Sequence, residues 1–183
     1  TYTWVVIVLS SAALCYLVWR IVPYTPWGKT MLDQVEPRPD EPVLRMLVCN
    51  VLQHNRQFQS TAQLITERDP DIVLLLETDA GWRAGVHAAV AHYPFKLEVP
   101  QDDTYGLLFY SRLPVKKAEV KRLVDSTIPS IEADVEFAGR TVRLYGLHPT
   151  PPVPQENTES TDRDAEVLIT GRAAAEWNKP CIV

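Results

Sequence analysis

The chain has 183 residues, with 18 Lys and Arg against 23 Asp and Glu, a formal net charge of −5, and 46% hydrophobic and 22% charged residues. That balance excludes an intrinsically disordered chain and gives no support to a strongly basic nucleic-acid-binding module. The length suits one domain, or a smaller domain with an appended segment.

The first predicted element is a transmembrane helix over residues 1–22. Thr1 to Trp19 carries no charged side chain, and the run from Trp4 to Trp19 approaches the roughly 20 apolar residues that a bilayer-spanning helix needs. Trp4, Tyr16, Trp19, Tyr24 and Trp27 lie towards its two ends, where amphipathic rings prefer the headgroup layer, and Arg20 can snorkel. A signal peptide would need a basic stretch before the run, and none is present. A buried core helix is the other alternative, since Ser10, Ser11 and Cys15 also suit a protein interior. With no initiator Met, the sequence reads as one whose start is missing. Arg20, Lys29 and Arg38 come after the span and by themselves favour a cytoplasmic side for its C-terminal end, unless upstream helices overrule them.

Residues 23–42 hold Pro23, Pro26, Pro37, Pro39 and Pro42 with Gly28 and several charges, a composition that breaks regular structure and predicts a stiff linker. A domain is expected over residues 43–183. Its elements in order are a strand over Val43–Cys49, a helix over Gln57–Glu67 and a turn at Asp69-Pro70-Asp71. Ile72 to Leu76 is a continuous apolar run, as expected of a central strand covered on both faces. A helix comes next over Asp79–Ala91, with Thr78 or Asp79 as its N-cap. Strands are then expected over Tyr105–Tyr110, Pro114–Leu123, Ile131–Phe137 and Thr141–Leu147, with Ala138-Gly139-Arg140 as a hairpin connection. Thr161 to Trp177 reads as a helix, N-capped by Thr161 and with Asp164 in its first turn. Pro180 to Val183 begins another strand.

An opening of alternating strands and helices, then antiparallel hairpins, then helix and strand, points to a layered or sandwich α/β protein. A purely parallel doubly wound sheet fits less well. Neither GxGxxG nor GxxxxGK[ST] occurs, so dinucleotide and P-loop chemistry have no support. Cys15, Cys49 and Cys181 lack CxxC spacing and read as buried free thiols, and no zinc site is encoded.

Three polar residues each close an apolar strand, where loops on a rigid scaffold carry chemistry: Asn50, Glu77 and His148. Read alone, Asn50 is first a turn residue and second a ligand. Glu77 has no capping duty, because Thr78 and Asp79 stand ready for it, so a metal ligand and a surface carboxylate stay equally open. His148 precedes Pro149 and is held extended, and a lone histidine there is commonly structural.

The segments Leu44–Val51, Asp69–Thr78, Tyr105–Pro114 and Leu144–Pro149 occur in the order expected of one family, and over residues 43–183 the chain resembles the endonuclease/exonuclease/phosphatase superfamily. The resemblance implies a four-layered α/β sandwich of mixed sheets, incomplete at its C-terminus, and a divalent-metal-dependent hydrolysis of phosphate esters. It implies Glu77 as the Mg²⁺-binding carboxylate, with Mn²⁺ as the alternative ion, and Asn50 as the neighbour that orients metal and phosphate. His148 would contact the scissile phosphate or help the leaving group. Tyr105 and Arg112 match the family's strand pair as candidate substrate-binding residues, although Ser111-Arg112 reads first as a strand end tying a loop. Arg163 reads as a solvated helix start, and His54, His87 and His92 match no catalytic segment. The family's later Gly-Asp-x-Asn and Asp-His segments do not occur before Val183, so this stretch alone is expected to lack activity.

The apolar span together with His148-Pro149-Thr150-Pro151-Pro152 resembles a bacterial branch of membrane phosphatases whose catalytic domain lies on the extracytoplasmic side. That implies a lipid-linked pyrophosphate or a similar ester as substrate. A divalent-metal-dependent endonuclease is the alternative, disfavoured by the acidic balance and by the lack of a basic run interleaved with aromatics. A non-catalytic envelope binding module is the third, for the case that the chain is complete.

Overall fold

The computed structural model describes residues 2–28, 38–150 and 161–183, which fall into two compact units divided between Glu41 and Pro42. Within the first, α1 (Thr3–Ile21) is followed by a single 3-10 turn at Val22–Tyr24. At about 1.5 Å per residue, a helix of this length is about 29 Å long, close to the thickness of a bilayer's hydrocarbon core. Its residues are all solvent-exposed, including Trp4, Leu9, Leu14 and Leu17. It is long and apolar enough to cross a membrane. Of the predicted linker, residues 29–37 lie outside the described residues.

The second unit is a sandwich of mixed sheets between helices, as predicted. Sheet one has the order β1 (Met46–Asn50), β2 (Ile72–Leu76), β4 (Leu107–Ser111), β3 (Phe95–Val99). The strands β1 and β2 run parallel, joined by α2 (Phe58–Arg68), while β4 is antiparallel to both β2 and β3. Sheet two has the order β5 (Val115–Lys121), β6 (Ser130–Phe137), β7 (Arg140–Gly146), β8 (Cys181–Ile182). The β6–β7 hairpin turns through Ala138 and Gly139 at φ 49° and 74°, the two positive values of a type I′ turn. Helix α4 (Thr161–Trp177) leads into β8, which pairs in parallel with β7.

The alternation of side chains along β2 divides the core in two. Val73 and Leu75 face the helices, packing with Ile65 of α2, with Trp82 and Val86 of α3 (Ala80–Val86), and with Val90 and Tyr93. Ile72 and Leu74 face the other way and meet Ile131, Ala133, Val135, Val142 and Leu144 of sheet two. On the outer face of sheet two, Ile169, Thr170 and Ala173 of α4 and Ser130, Glu132 and Tyr145 line one small cavity, and Ser130 Oγ donates to Glu166 Oε1 at 2.7 Å. The layers are therefore helix, sheet, sheet, helix.

Three elements differ from the expectations drawn from sequence. The strand β3 is an addition to them, although Phe95, Leu97 and Val99 alternate with exposed Lys96 and Glu98. Helix α3 stops at Val86 rather than Ala91, in a segment where Gly81 and Gly85 lower helix propensity. The first strand begins at Met46 rather than Val43, because the amide of Arg45 is turned aside to Asp71 Oδ2 at 2.8 Å.

Candidate active site

The carboxyl ends of the parallel strands β1 and β2 lie side by side, with Asn50 opposite Leu76 in register. Chain direction alone thus places Asn50 and Glu77 at one end of sheet one, where α/β folds hold their ligands. Glu77 itself has φ 60°, in the left-handed region that a non-glycine residue rarely occupies. Leu52, after β1, and Thr104, before β4, share this strain at φ 56° and 71°, and both sit in loops at the same end of the sheet. Such residues persist only where their surroundings hold them. Here Thr78 donates its N–H to Gly106 O at 2.9 Å and accepts from the Gln101 amide at 3.0 Å. Gly106 has no alternative side chain in this arrangement, since a Cβ would fall on the Thr78 carbonyl.

Asn50 Nδ2 donates to Glu77 Oε1 at 2.5 Å, and its Oδ1 accepts from the Leu52 amide at 3.0 Å. Both ends of the amide are fixed by partners of unambiguous type. His148 arrives from sheet two. Gly146, at the end of β7, packs so closely on Leu74 of β2 that a Cβ would lie 3.1 Å from Leu74 Cδ2, which draws the two strand ends together. Two residues on, His148 Nε2 lies 3.4 Å from Glu77 Oε1, with both side chains less than one-fifth exposed. The Tyr105 ring leans on the imidazole at a centroid distance of 5.8 Å.

The structure therefore brings together Asn50, Glu77, His148 and Tyr105. It does not bring Arg112 to them. Arg112 follows the end of β4 that pairs with the start of β2, a full strand length from Glu77. Its Nη1 is 2.8 Å from both carboxylate oxygens of Asp69, and its Nη2 donates to the Asp69 carbonyl and to Asp71 Oδ1. A guanidinium so engaged ties a loop, the first reading of Ser111-Arg112, and the structure places Arg112 apart from the other candidate residues. Arg163 bonds Asp164 within α4, at the solvated helix start expected of it, and His87 is exposed.

Two further features lie at this end. Asp79 caps α3 by accepting from the Trp82 amide at 2.8 Å and pairs with Arg56 Nη1 at 2.6 Å. Burial alone would raise its carboxyl, but the Trp82 amide, the Arg56 guanidinium and the Gly81 amide outweigh that and hold it below the ordinary carboxylate range. Gln53, in the loop after Asn50, is buried and bonded at both ends of its amide. The Asp79 cap is legible in the sequence, whereas its partner Arg56 and the role of Gln53 carry no local signal. The three free cysteines are not buried as expected, Cys15 being exposed and Cys49 and Cys181 half-buried; Cys49 adjoins Asn50, but its partial burial pushes its thiol up, away from the thiolate that reacts.

The chemistry of this donor set decides what ion it suits. No group of three or more His, Cys, Asp or Glu converges among the described residues, which leaves Glu77 as the one carboxylate beside an amide and an imidazole. Glu77 Oε2 accepts no hydrogen bond among the described residues, and Asn50 Oδ1 keeps a second lone pair. A sparse oxygen set fits a hard divalent cation that retains several waters and takes one or two protein carboxylates. It does not fit a thiolate-bound or four-coordinate zinc site.

The Endonuclease/Exonuclease/phosphatase family matches residues 47–183. No curated protein sequence matches the chain. Among solved structures, D. rerio TDP2 complexed with a single-strand DNA product is similar with a TM-score of 0.62 at 17% identity, over 75% of this chain and 57% of that one. TDP2 from C. elegans is similar with a TM-score of 0.61 at 15% identity, over 73% and 42%. Sphingomyelinase C from Streptomyces griseocarneus is similar with a TM-score of 0.57 at 18% identity, over 76% and 61%. The chain thus spans less than two thirds of the length of each of these structures, and the likeness is one of fold.

Proposed function

The chain belongs to the endonuclease/exonuclease/phosphatase family, whose members hydrolyse phosphoric esters, and on that premise we propose that it is a membrane-anchored, divalent-metal-dependent hydrolase acting on a lipid-linked pyrophosphate or a similar ester. The observation that carries the reading is the convergence of Asn50 and His148 on one carboxylate oxygen of Glu77, from two different sheets. Glu77, with the free lone pair of Asn50 Oδ1, would hold Mg²⁺ or Mn²⁺. When bound, the ion supplies positive charge for the phosphoryl oxygens and polarises the leaving oxygen.

The remaining work falls to the chain's own residues. Asn50 fixes the Glu77 carboxylate by donating to Oε1, and being uncharged it adds no repulsion towards an anionic substrate. His148 presents Nε2 beside the same oxygen, where an imidazole can donate a hydrogen bond or a proton to an ester oxygen as the phosphorus–oxygen bond breaks and water adds to phosphorus. Tyr105 limits the swing of that imidazole and walls the site on one side. The apolar α1 would anchor the domain at a membrane with its site on the extracytoplasmic side. The fold likeness to a sphingomyelinase C agrees with an ester presented at a lipid surface.

A second reading, a divalent-metal-dependent endonuclease, is favoured by the fold likeness to TDP2 complexed with single-strand DNA. The net charge of −5 speaks against a polyanionic partner. The full chain in proteoliposomes, offered a polyprenyl pyrophosphate or plasmid DNA with Mg²⁺ or with chelator, separates the readings. Metal-dependent phosphate release from the lipid that Glu77→Gln abolishes supports the first. DNA cleavage without lipid hydrolysis replaces it with the second. Since inactivity of this stretch alone is already expected, it is the absence of divalent-ion binding that would leave a non-catalytic binding module.

A further inference from the structure

We propose that Gln53 is the positioning residue of this site, a buried amide that sets where Tyr105 stands against His148 and how the chain leaves Glu77. The inference rests on the reading of Asn50, Glu77 and His148 as the reactive end of the molecule. Gln53 is 3% exposed, in a loop with no regular structure, and nothing in its neighbourhood in sequence accounts for burying a long polar side chain there. Both ends of its amide are used on one distant loop. Nε2 donates to the Gln101 carbonyl at 3.0 Å, and Oε1 accepts from the Thr104 amide at 2.7 Å, partners 48 and 51 residues away.

Those two attachment points border the site. Gln101 donates its own N–H to the carbonyl of Thr78, the residue after Glu77, at 3.0 Å, and its side chain reaches the Thr127 carbonyl at 3.0 Å. Thr104, at φ 71°, directly precedes Tyr105, whose ring rests on His148. The Tyr105 amide is turned to Asp103 Oδ1 at 3.2 Å, so the chain from Gln101 to Tyr105 is held from both sides. One amide therefore links the loop that starts at Asn50, the peptide that follows Glu77 and the ring that braces His148. A left-handed Thr104 is unfavourable by itself. The bond from Gln53 holds its N–H in the one orientation that delivers Tyr105 to the imidazole.

The test uses the full chain in detergent micelles and needs no turnover. His148 is assigned in a histidine ring NMR spectrum by His148→Gln, and Tyr105→Leu marks where its Cε1–H resonates without the Tyr105 ring. Gln53→Met, which removes donor and acceptor at nearly constant volume, is expected to move the His148 signal to the Tyr105→Leu position. It should also speed hydrogen exchange at the Thr104 amide about tenfold or more, as the loss of a buried hydrogen bond would. Gln53→Glu keeps the acceptor and loses the donor, and should give a smaller movement of the same sign. Signals of His87 and His92, remote from the loop, should stay in place. A folded Gln53→Met chain with His148 and Thr104 unchanged overturns the proposal. Should that variant not fold, exchange in the wild type decides: Thr104 lies in no strand, so protection there supports the bond and exchange at free-loop rates overturns it. Absence of divalent-ion binding at Glu77 would remove the catalytic reading and leave these shifts untouched. Shifts that fail to appear in an active hydrolase would remove the positioning role alone.

Discussion

Asn50 and Glu77 stand at the ends of adjacent parallel strands, and the amide of the first donates to Oε1 of the second at 2.5 Å. The bond exists because β1 and β2 pair in register to their last residues, so nothing longer than an asparagine is needed to bridge them. Groups that hold a ligating carboxylate in place contribute about 10–100-fold to metal affinity. Asn50→Leu is therefore expected to weaken Mn²⁺ binding by about that factor, measured by water-proton relaxation in a metal titration, while thermal unfolding stays close to that of the wild type.

The turn after Glu77 is closed by Gly106, where a Cβ would fall on the Thr78 carbonyl. Gly106→Ala should force the two chains apart and cost about 1–3 kcal/mol, the usual penalty of overpacking. Urea unfolding gives the stability change. Because Thr78 comes directly after Glu77, the same substitution is expected to weaken Mn²⁺ binding.

Asp79 works on the opposite side of that turn, as cap of α3 and partner of Arg56. Its carboxyl is held low in the folded chain, so by linkage its contribution is fully present above the ordinary aspartate pKa of about 3.9 and is lost as pH falls through the lower, folded value. Asp134 acts in the same direction, its carboxyl held low first by the hydrogen-bonded Arg143, against the opposing effect of burial. Stability should decline steeply below about pH 4. Asp79→Asn should flatten that decline and cost about 1 kcal/mol at neutral pH, both read from urea midpoints across a pH series.

Arg112 provides the contrast. Bonded to Asp69 and Asp71 at the far end of β2, it should matter to folding alone. Arg112→Ala is expected to lower stability by about 1–3 kcal/mol, the range for lost hydrogen bonds to charged groups, with Mn²⁺ affinity unchanged. A fall in affinity without loss of stability would return Arg112 to the site.

Most of the sandwich was legible because its strands are apolar runs closed by polar residues. The run Ile72–Leu76 is buried on both faces as its uniform composition requires. The strand β3 escaped because its alternation is carried by three half-buried residues, Phe95, Leu97 and Val99, at the sheet edge. Within the site, Asn50, Glu77 and His148 announced themselves by ending strands, since strand direction then decides where they meet. Arg112 also ends a strand, but an antiparallel one, and register sends it to the opposite end of the sheet. Gln53 and Gln101 gave no signal, because a buried glutamine in a loop is defined by carbonyls and amides of residues far along the chain, which no local pattern encodes.

Glu77, with Asn50 and His148 beside it, is proposed to receive a divalent cation. Paramagnetic broadening tests it on the intact chain: with sub-stoichiometric Mn²⁺, the ring signals of His148 should broaden before those of His54, His87 and His92, and Glu77→Gln should abolish the difference. Equal broadening of all four histidines, or selective broadening of His148 that survives Glu77→Gln, would contradict the account.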